Sequence, residues 1–233
     1  MSPTPSNSSA WVALTAFAAG AATALVASKI LSGNKTDKRN AGATIEGEDL
    51  SLFYGDVEEL TTITPSRKFL PEELYGNLVR DCIVFCVDIV LVRTSEGGKK
   101  ECLLVKRSSE PVKGAWWWPG GRMLKGETFF DAAERKARQE TGLSDVTCVQ
   151  VLGIWNTFFP TSNWDTDADK GTQTVNAIVL VELNSGGDVE LDDTSEECRW
   201  IPLDPEVAEA NGEDKYVLQG LLRLKAWNPS YAK

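Results

Sequence analysis

The stretch at residues 120–143, "GGRMLKGETFFDAAERKARQETGL", constrains the fold most, because it carries both the start and the end signal of one helix. Thr128 can cap the amino end of a helix, and Asp131 stands three residues later, at the spacing of a capping box. Gly142 is the residue type that most often follows a last helical turn. These signals predict one helix over residues 129–141, preceded by a glycine turn where backbone can approach a ligand closely.

Apolar runs on both sides of this helix predict the strands of a sheet. The run "CIVFCVDIVLVR" is rich in valine and isoleucine and favours a buried strand, and "SEGGKK" after it favours a hairpin turn. Further helices are predicted at residues 71–79, where proline suits the first turn, and at residues 215–227, which are amphipathic. Strands mixed with helices, several joined as hairpins, predict an α/β domain with a mixed sheet. The predicted strands are residues 82–93, 101–107, 148–159, 174–183 and 198–203.

Residues 10–28, "AWVALTAFAAGAATALVAS", contain no charge. As a helix this run would be about 28 Å long, close to the thickness of a hydrocarbon core. Basic residues follow it and none precedes it, so the positive-inside rule places the rest of the chain in the cytosol. The run is interpreted as a membrane tether that carries a cytosolic domain. A targeting peptide and a soluble alanine-rich helix are the alternatives.

Composition divides the chain into three parts. Residues 1–31 are the hydrophobic N-terminal segment, residues 32–65 are a polar linker, and residues 66–233 are the folded domain. Of the 233 residues 42% are hydrophobic, which is enough for one domain with a substantial core.

The charge and the lack of histidine exclude several kinds of function. The chain has 24 basic and 34 acidic residues, a net charge of −10, which does not suit a basic groove for nucleic acid. It has no histidine, which excludes histidine-ligated zinc, Ser-His-Asp triads and Cys-His dyads. Any catalysis must therefore use carboxylates, lysine, arginine, tyrosine or metal-bound water.

Spacing alone suggests a metal site on the predicted helix. Positions 136, 139 and 140 share one helix face, because they lie three and four residues apart. Glu140 on that face and a glycine carbonyl from the preceding turn are oxygen ligands of the kind that Mg²⁺ takes. The alternative is an ordinary helix whose charged side chains are only solvated.

The same stretch resembles the Nudix box, whose pattern is G-x5-E-x7-R-E-U-x-E-E-x-G-U, with U an aliphatic residue. Lys136 and Gln139 depart from it, because they stand where the pattern has glutamate, and Ala137 is a weak match at the first U. These departures argue against a site with several metal ions, since a lysine repels a second cation. The matching residues are Gly121, Glu127, Arg135, Glu140, Gly142 and Leu143.

The resemblance extends to one branch of that family, the GDP-mannose mannosyl hydrolases, over nearly all of residues 68–205. Segments at 68–92, 103–129, 151–159 and 196–203 resemble the branch in the same order, and the branch departs from the box at the same two positions. The resemblance implies a Nudix-like α/β/α sandwich. It also implies that water attacks the anomeric carbon of a nucleotide sugar, which releases free sugar and nucleoside diphosphate.

The resemblance also implies roles for particular residues. Gly120, through its carbonyl, and Glu140 would hold one Mg²⁺, with Mn²⁺ as the alternative ion. Arg107 and Arg122 would bind the diphosphate and stabilise its charge during catalysis. Asp88 matches a substrate-contacting position, and an unpaired acid inside an apolar strand is unfavourable without a role. The alternatives are a surface position for Arg107 and a structural ion pair for Asp88.

Arg135 and Glu127 complete the catalytic set, with Arg135 interpreted as organising the box through Glu127. The general base is open, because that branch uses a histidine in the loop before its arginine–tryptophan strand, and this chain has Ser195 there. Asp193 and Glu196 flank the gap, and either carboxylate can act as a base.

Three functions follow as hypotheses. The first is a Mg²⁺-dependent hydrolase that acts on a nucleotide sugar of the GDP-mannose kind. The second keeps the fold but cleaves the pyrophosphate bond, and the third is a membrane-tethered protein that binds nucleotides without turnover. A nucleotide sugar is the expected small-molecule partner, no nucleic acid is expected, and the chain is compatible with a homodimer.

Overall fold

The sheet at the centre of the described structure has seven strands. The structure is a computed structural model that describes residues 48–52, 70–165 and 170–232, all of them within the unit Thr44–Lys233. The predicted hydrophobic segment 1–31, and the predicted linker apart from residues 48–52, lie outside these ranges. Within them, no helix is long and apolar enough to cross a membrane.

Helices and strands are mixed along the chain, and every element predicted within the described ranges is present, with ends that differ by three residues or fewer. The helices are α1 (Glu72–Asp81), α2 (Phe129–Thr141), α3 (Pro205–Ala210) and α4 (Lys215–Trp227), and a short 3₁₀ helix (Pro229–Ala232) follows. The strands are β1 (Val84–Thr94), β2 (Lys100–Arg107), β3 (Trp116–Trp117), β4 (Gly120–Arg122), β5 (Val146–Phe159), β6 (Thr172–Leu183) and β7 (Ser195–Pro202).

Strand β1 lies in the middle of the sheet, and its two edges have different partners. The order is β3-β2-β1-β6-β5, with β4 also paired to β1 and β7 also paired to β2. The β1–β6 pair is parallel and the other pairs are antiparallel, so the predicted mixed sheet is confirmed. On one edge, β1 pairs with β4 near its start and with β2 near its end. This division sets Asp88 opposite Gly120.

Both faces of the sheet are covered, so consecutive residues of β1 are buried. Val87, Ile89 and Leu91 pack on one face with the alanines of α2, whereas Val90 and Val92 pack on the other face with apolar residues of α4. A strand covered on both sides has a continuous apolar run, not an alternating one. The predicted α/β/α sandwich is therefore confirmed.

Helix α2 begins and ends where its capping signals predict. The Thr128 side chain accepts a hydrogen bond from the Asp131 backbone N–H, and the Asp131 side chain accepts one from the Thr128 backbone. Gly142 has a φ of 73°, the left-handed conformation that favours glycine, and its N–H donates to the Arg138 carbonyl. The fully buried Ala133 and Ala137 lie on the sheet side, as their spacing predicts.

In a regular strand Trp116, Trp117 and Trp118 would lie alternately in the core and on the surface, but the structure places them differently. Trp117 and Trp118 are both buried, and only the preceding Trp116 is partly exposed. Strand β3 ends at Trp117, so Trp118 no longer follows the strand's alternation. Its indole instead lies close to Gly220 of α4, where an added Cβ would be 3.1 Å away.

Candidate active site

A cavity of about 560 Å³ opens beside β4 and the face of α2 that carries the Nudix-like residues. Its walls come from α1, β1, β4, α2 and the loops that follow β2 and β5. A second cavity of about 640 Å³ lies among the loops near residues 93–97 and 183–187 and contains none of the predicted site residues. Six of the predicted site residues line the first cavity, namely Asp88, Arg107, Gly120, Arg122, Arg135 and Glu140.

Gly120 and Glu140 are in direct contact at the floor of this cavity. The Gly120 backbone N–H donates to Glu140 Oε2 over 2.8 Å, and Glu140 is only 4% exposed. A Cβ at position 120 would lie 2.3 Å from the Val87 carbonyl oxygen and 2.4 Å from Asp88 Oδ1. Contacts this short are forbidden, so only glycine lets β4 lie this close to β1 and to the acid.

The other Glu140 oxygen is paired with a cation of the protein itself. Lys136 Nζ lies 2.7 Å from Glu140 Oε1, one helical turn away. The Glu140 carboxylate and the Gly120 carbonyl are hard oxygen donors that suit one Mg²⁺, provided that Lys136 leaves Oε1. They do not suit a cluster of metal ions, and the described residues contain no group of three or more acidic or cysteine side chains placed to hold one.

Arg135 is held by Glu127 and by backbone. Its Nε lies 2.5 Å from Glu127 Oε1, its Nη2 lies 2.7 Å from Glu127 Oε2, and Nη2 also donates to the Arg122 carbonyl over 3.0 Å. Burial raises the pKa of the Glu127 carboxyl, but the hydrogen bonds and charge of Arg135, together with the hydrogen bond from the Leu124 N–H, outweigh it, and the pKa lies below its usual value. This ion pair ties the glycine turn to α2, as the interpretation of Arg135 as an organising residue requires.

Arg107 and Arg122 both line the cavity, and neither forms an ion pair within the described residues. Arg107 Nε donates to the Pro111 carbonyl over 2.8 Å, which leaves the rest of its guanidinium for a ligand. The Arg122 guanidinium lies over the Tyr75 ring, 4.6 Å from the centroid. Tyr75 in turn packs edge-on against Trp164 at 5.3 Å, and both rings line the cavity. The site therefore combines two available guanidinium groups with an aromatic wall.

Asp88 is buried at the back of the cavity and anchored by two neutral donors. Its Oδ2 accepts from the Tyr216 hydroxyl and from Asn176 Nδ2, both over 2.6 Å. Burial raises the pKa of the Asp88 carboxyl to about 6, although both hydrogen bonds and the nearby Arg107 lower it. Sequence reasoning missed Tyr216 and Asn176. The one signal for Asn176 is the one that singled out Asp88, a polar residue inside an apolar strand.

The raised pKa of Asp88 predicts that Asp88→Asn, which keeps the shape of the side chain, stabilises the fold by an amount that depends on pH. The folded state holds this proton more tightly than the unfolded chain, so wild-type stability decreases as the pH rises from 3.8 towards about 6 and stays lower above it. The variant is expected to be more stable by about 3 kcal/mol at pH 8 and by less at pH 5. Urea unfolding at both pH values measures this. Asp188→Asn, at an exposed position, is the control, and an equal gain at both pH values would contradict the assignment.

The two candidate bases lie apart from the cavity. Asp193 and Glu196 are exposed, and neither lines it, whereas Thr194 between them does. The Asp193 and Thr194 carbonyls accept hydrogen bonds from Ser108, which fixes this loop beside Arg107. The role of Asp193 or Glu196 as a base stays a prediction.

The structure combines a three-layer α/β/α fold with a helix whose last-turn glutamate contacts a glycine turn. Comparison with family models identifies the family to which this arrangement belongs. A family model of the NUDIX domain matches residues 85–221, which is more than half of the chain. The chain belongs to the Nudix family. Proteins of this family bind nucleotide derivatives as substrates and generally use divalent metals such as Mg²⁺.

Two curated relatives are similar over part of the domain. The low-salt glycan biosynthesis protein Agl8 of Haloferax volcanii is 37% identical over 40% of this chain and 56% of its own length. An ADP-ribose pyrophosphatase of Methanocaldococcus jannaschii is 28% identical over 43% of this chain and 54% of its own length. The chain thus spans little more than half of each. Among solved structures, an Ap4A hydrolase binary complex from C. elegans is 21% identical, covers 64% of this chain and 99% of its own, and has a TM-score of 0.49.

Proposed function

We propose that this protein hydrolyses a nucleotide sugar, of the GDP-mannose kind, into free sugar and nucleoside diphosphate. One observation carries the proposal. A single cavity contains the guanidinium groups of Arg107 and Arg122, the buried Glu140 carboxylate beside the glycine turn, and the Asp88 carboxylate. Asp88 Oδ1 has no hydrogen-bond partner within the described residues. A diphosphate is complementary to the two guanidinium groups, and a neutral polar group linked to it is complementary to the free oxygen of Asp88.

The diphosphate fits the cationic side of the cavity. Arg107 and Arg122 can each form two parallel hydrogen bonds to phosphate oxygens, which point charges cannot. Negative charge grows on the diphosphate as the bond to the sugar breaks, so these contacts strengthen in the transition state. A Mg²⁺ bound by Glu140 and the Gly120 carbonyl, with Mn²⁺ as the alternative, would supply further charge stabilisation for the leaving diphosphate.

The sugar fits the acidic side. Asp88 Oδ2 is saturated by Tyr216 and Asn176, whereas Asp88 Oδ1 has no hydrogen-bond partner within the described residues and lies beside Gly120. A sugar hydroxyl is the donor that suits this oxygen, because a hydroxyl brings no charge into a buried position. The printed name of Agl8 refers to glycan biosynthesis, which supports a sugar-linked substrate.

Attack at carbon is favoured over attack at phosphorus by the composition of α2. Attack at phosphorus draws on several metal ions around the phosphoryl group, and Lys136 and Gln139 stand where two carboxylates of the pattern would be. A second candidate is a pyrophosphatase that yields sugar phosphate and nucleoside monophosphate. The similarity to an ADP-ribose pyrophosphatase is the observation that favours it.

Hydrolysis in ¹⁸O-labelled water distinguishes these functions. Purified domain is incubated with GDP-, ADP- and UDP-sugars and Mg²⁺ or Mn²⁺, and the products are identified by mass spectrometry. Label in a free sugar is expected, since water would attack the anomeric carbon. Label in a phosphate would instead show the pyrophosphatase. If no substrate is hydrolysed while a nucleotide raises the Tm, the protein binds nucleotides without turnover. Reactions in EDTA serve as the control for metal dependence.

A further inference from the structure

Lys136 is the residue by which this chain departs most in charge from the Nudix pattern, since a cation replaces an acid. Its side chain lies between α2 and the glycine turn, where an added Cβ on Gly121 would be 2.9 Å from Lys136 Nζ. Lys136 Nζ contacts Glu140 Oε1 at 2.7 Å, and the two side chains are 17% and 5% exposed. Both residues line the cavity.

This pair differs from an ordinary ion pair on a helix surface. An exposed pair four residues apart contributes about 0.5 kcal/mol or less and is screened by salt. Here the carboxylate is nearly buried, so its negative charge needs a partner. Lys136 meets that need, because its ammonium neutralises Glu140 at the place where a divalent ion would contact the same oxygen.

The Lys136 ammonium also has donor capacity to spare. It carries three N–H groups, and within the described residues Glu140 is its one hydrogen-bond partner. The remaining donors belong to an atom that lines the same cavity as Arg107 and Arg122. An ammonium in this position can bind a phosphate oxygen while it keeps its contact with Glu140.

We propose that Lys136 is an internal counter-ion that replaces one metal ion of the Nudix pattern: it binds the diphosphate of the ligand directly, and divalent ions compete with it for Glu140. The inference rests on the proposed function for the diphosphate as ligand. As a counter-ion, Lys136 would give the site two properties, namely weak affinity for free metal ions and affinity for diphosphate that is retained without metal.

Lys136→Gln tests both properties, because glutamine keeps a hydrogen-bond donor but removes the charge. Binding of Mn²⁺ alone is measured by electron paramagnetic resonance, and binding of inorganic pyrophosphate in EDTA by calorimetry. The variant is expected to bind Mn²⁺ about tenfold more tightly and pyrophosphate about tenfold more weakly than the wild type. Lys136→Glu, which restores the pattern's acid, should bind Mn²⁺ more tightly still.

Arg138→Gln is the matched control, because Arg138 is exposed on α2 and lies outside the cavity lining. It removes the same charge and should leave both affinities unchanged. A purely structural role of Lys136 would weaken both ligands together, and that result would overturn the proposal. So would a wild-type protein that fails to bind pyrophosphate in EDTA, a measurement that needs no variant.

The outcome is separable from that of the proposed function. Opposite shifts in the two affinities without hydrolysis of any nucleotide sugar would support Lys136 as counter-ion and reject the hydrolase. Hydrolysis with Mg²⁺ but unchanged affinities in the Lys136 variants would support the hydrolase and reject the counter-ion.

Discussion

Glu140→Gln is expected to lower kcat/KM for metal-dependent hydrolysis about 100-fold or more, because it removes the carboxylate proposed to hold a metal ion beside the diphosphate. The fold should be retained, since the amide oxygen can still accept the hydrogen bond from the Gly120 N–H. Steady-state kinetics at saturating Mg²⁺ measures the loss of activity, Mn²⁺ binding measures the loss of the metal ligand, and urea unfolding checks that the fold is retained.

Glu134→Gln is the control for Glu140→Gln, because Glu134 is exposed on the same helix and the substitution makes the same change of charge. Its rates should equal those of the wild type. Unchanged rates in Glu140→Gln itself would remove Glu140 from the site, whatever the substrate proves to be.

Arg135→Met is expected to lower the free energy of unfolding by about 3–5 kcal/mol, the cost of leaving one partner of a buried ion pair without the other. Glu127 would lose both of its bonds to Arg135, and the Arg122 carbonyl would lose its donor as well. Methionine keeps much of the apolar part of the side chain, so the loss reports mainly the guanidinium. Urea denaturation at pH 7.5 measures it, with the exposed Arg138→Met as control.

The same variant has a pH signature that separates an ion pair from simple packing. The pKa of Glu127 lies below its usual value of 4.5 in the folded protein, so its pairing stabilises the fold above that value and is lost as the pH falls below it. The difference between wild type and Arg135→Met should therefore narrow in acid. A difference that is constant with pH would mean that Arg135 acts by packing alone.

Local signals account for the parts of the fold that could be predicted. The bounds of α2 follow from Thr128, Asp131 and Gly142, which act within a few residues of each helix end. The continuous apolar run of β1 likewise marks a strand covered on both faces. Strand β4 has only three residues and α3 only six, so neither is long enough for a periodic pattern to show.

The candidate site was only partly predictable for a related reason. Glu140 and Gly120 belong to one continuous motif, and their contact follows from the turn and helix that it encodes. Tyr216 lies 128 residues from Asp88 along the chain, and Asn176 lies 88 residues away. Such pairings depend on how distant strands and helices pack, which no local spacing reports. The exposed positions of Asp193 and Glu196 depend in the same way on how their loop is tied to Ser108.

The alanines of α2 determine how closely this helix packs against the sheet beside the site. Ala132, Ala133 and Ala137 are fully buried against the sheet, so only a methyl group separates the helix backbone from β1 and its neighbours at these three positions. That thin layer fixes the height at which the last turn of α2 stands over β4, and with it the distance from Glu140 to Gly120. The position of Glu140 in the cavity therefore depends on apolar side chains on the buried face of the helix, which do not themselves line the cavity.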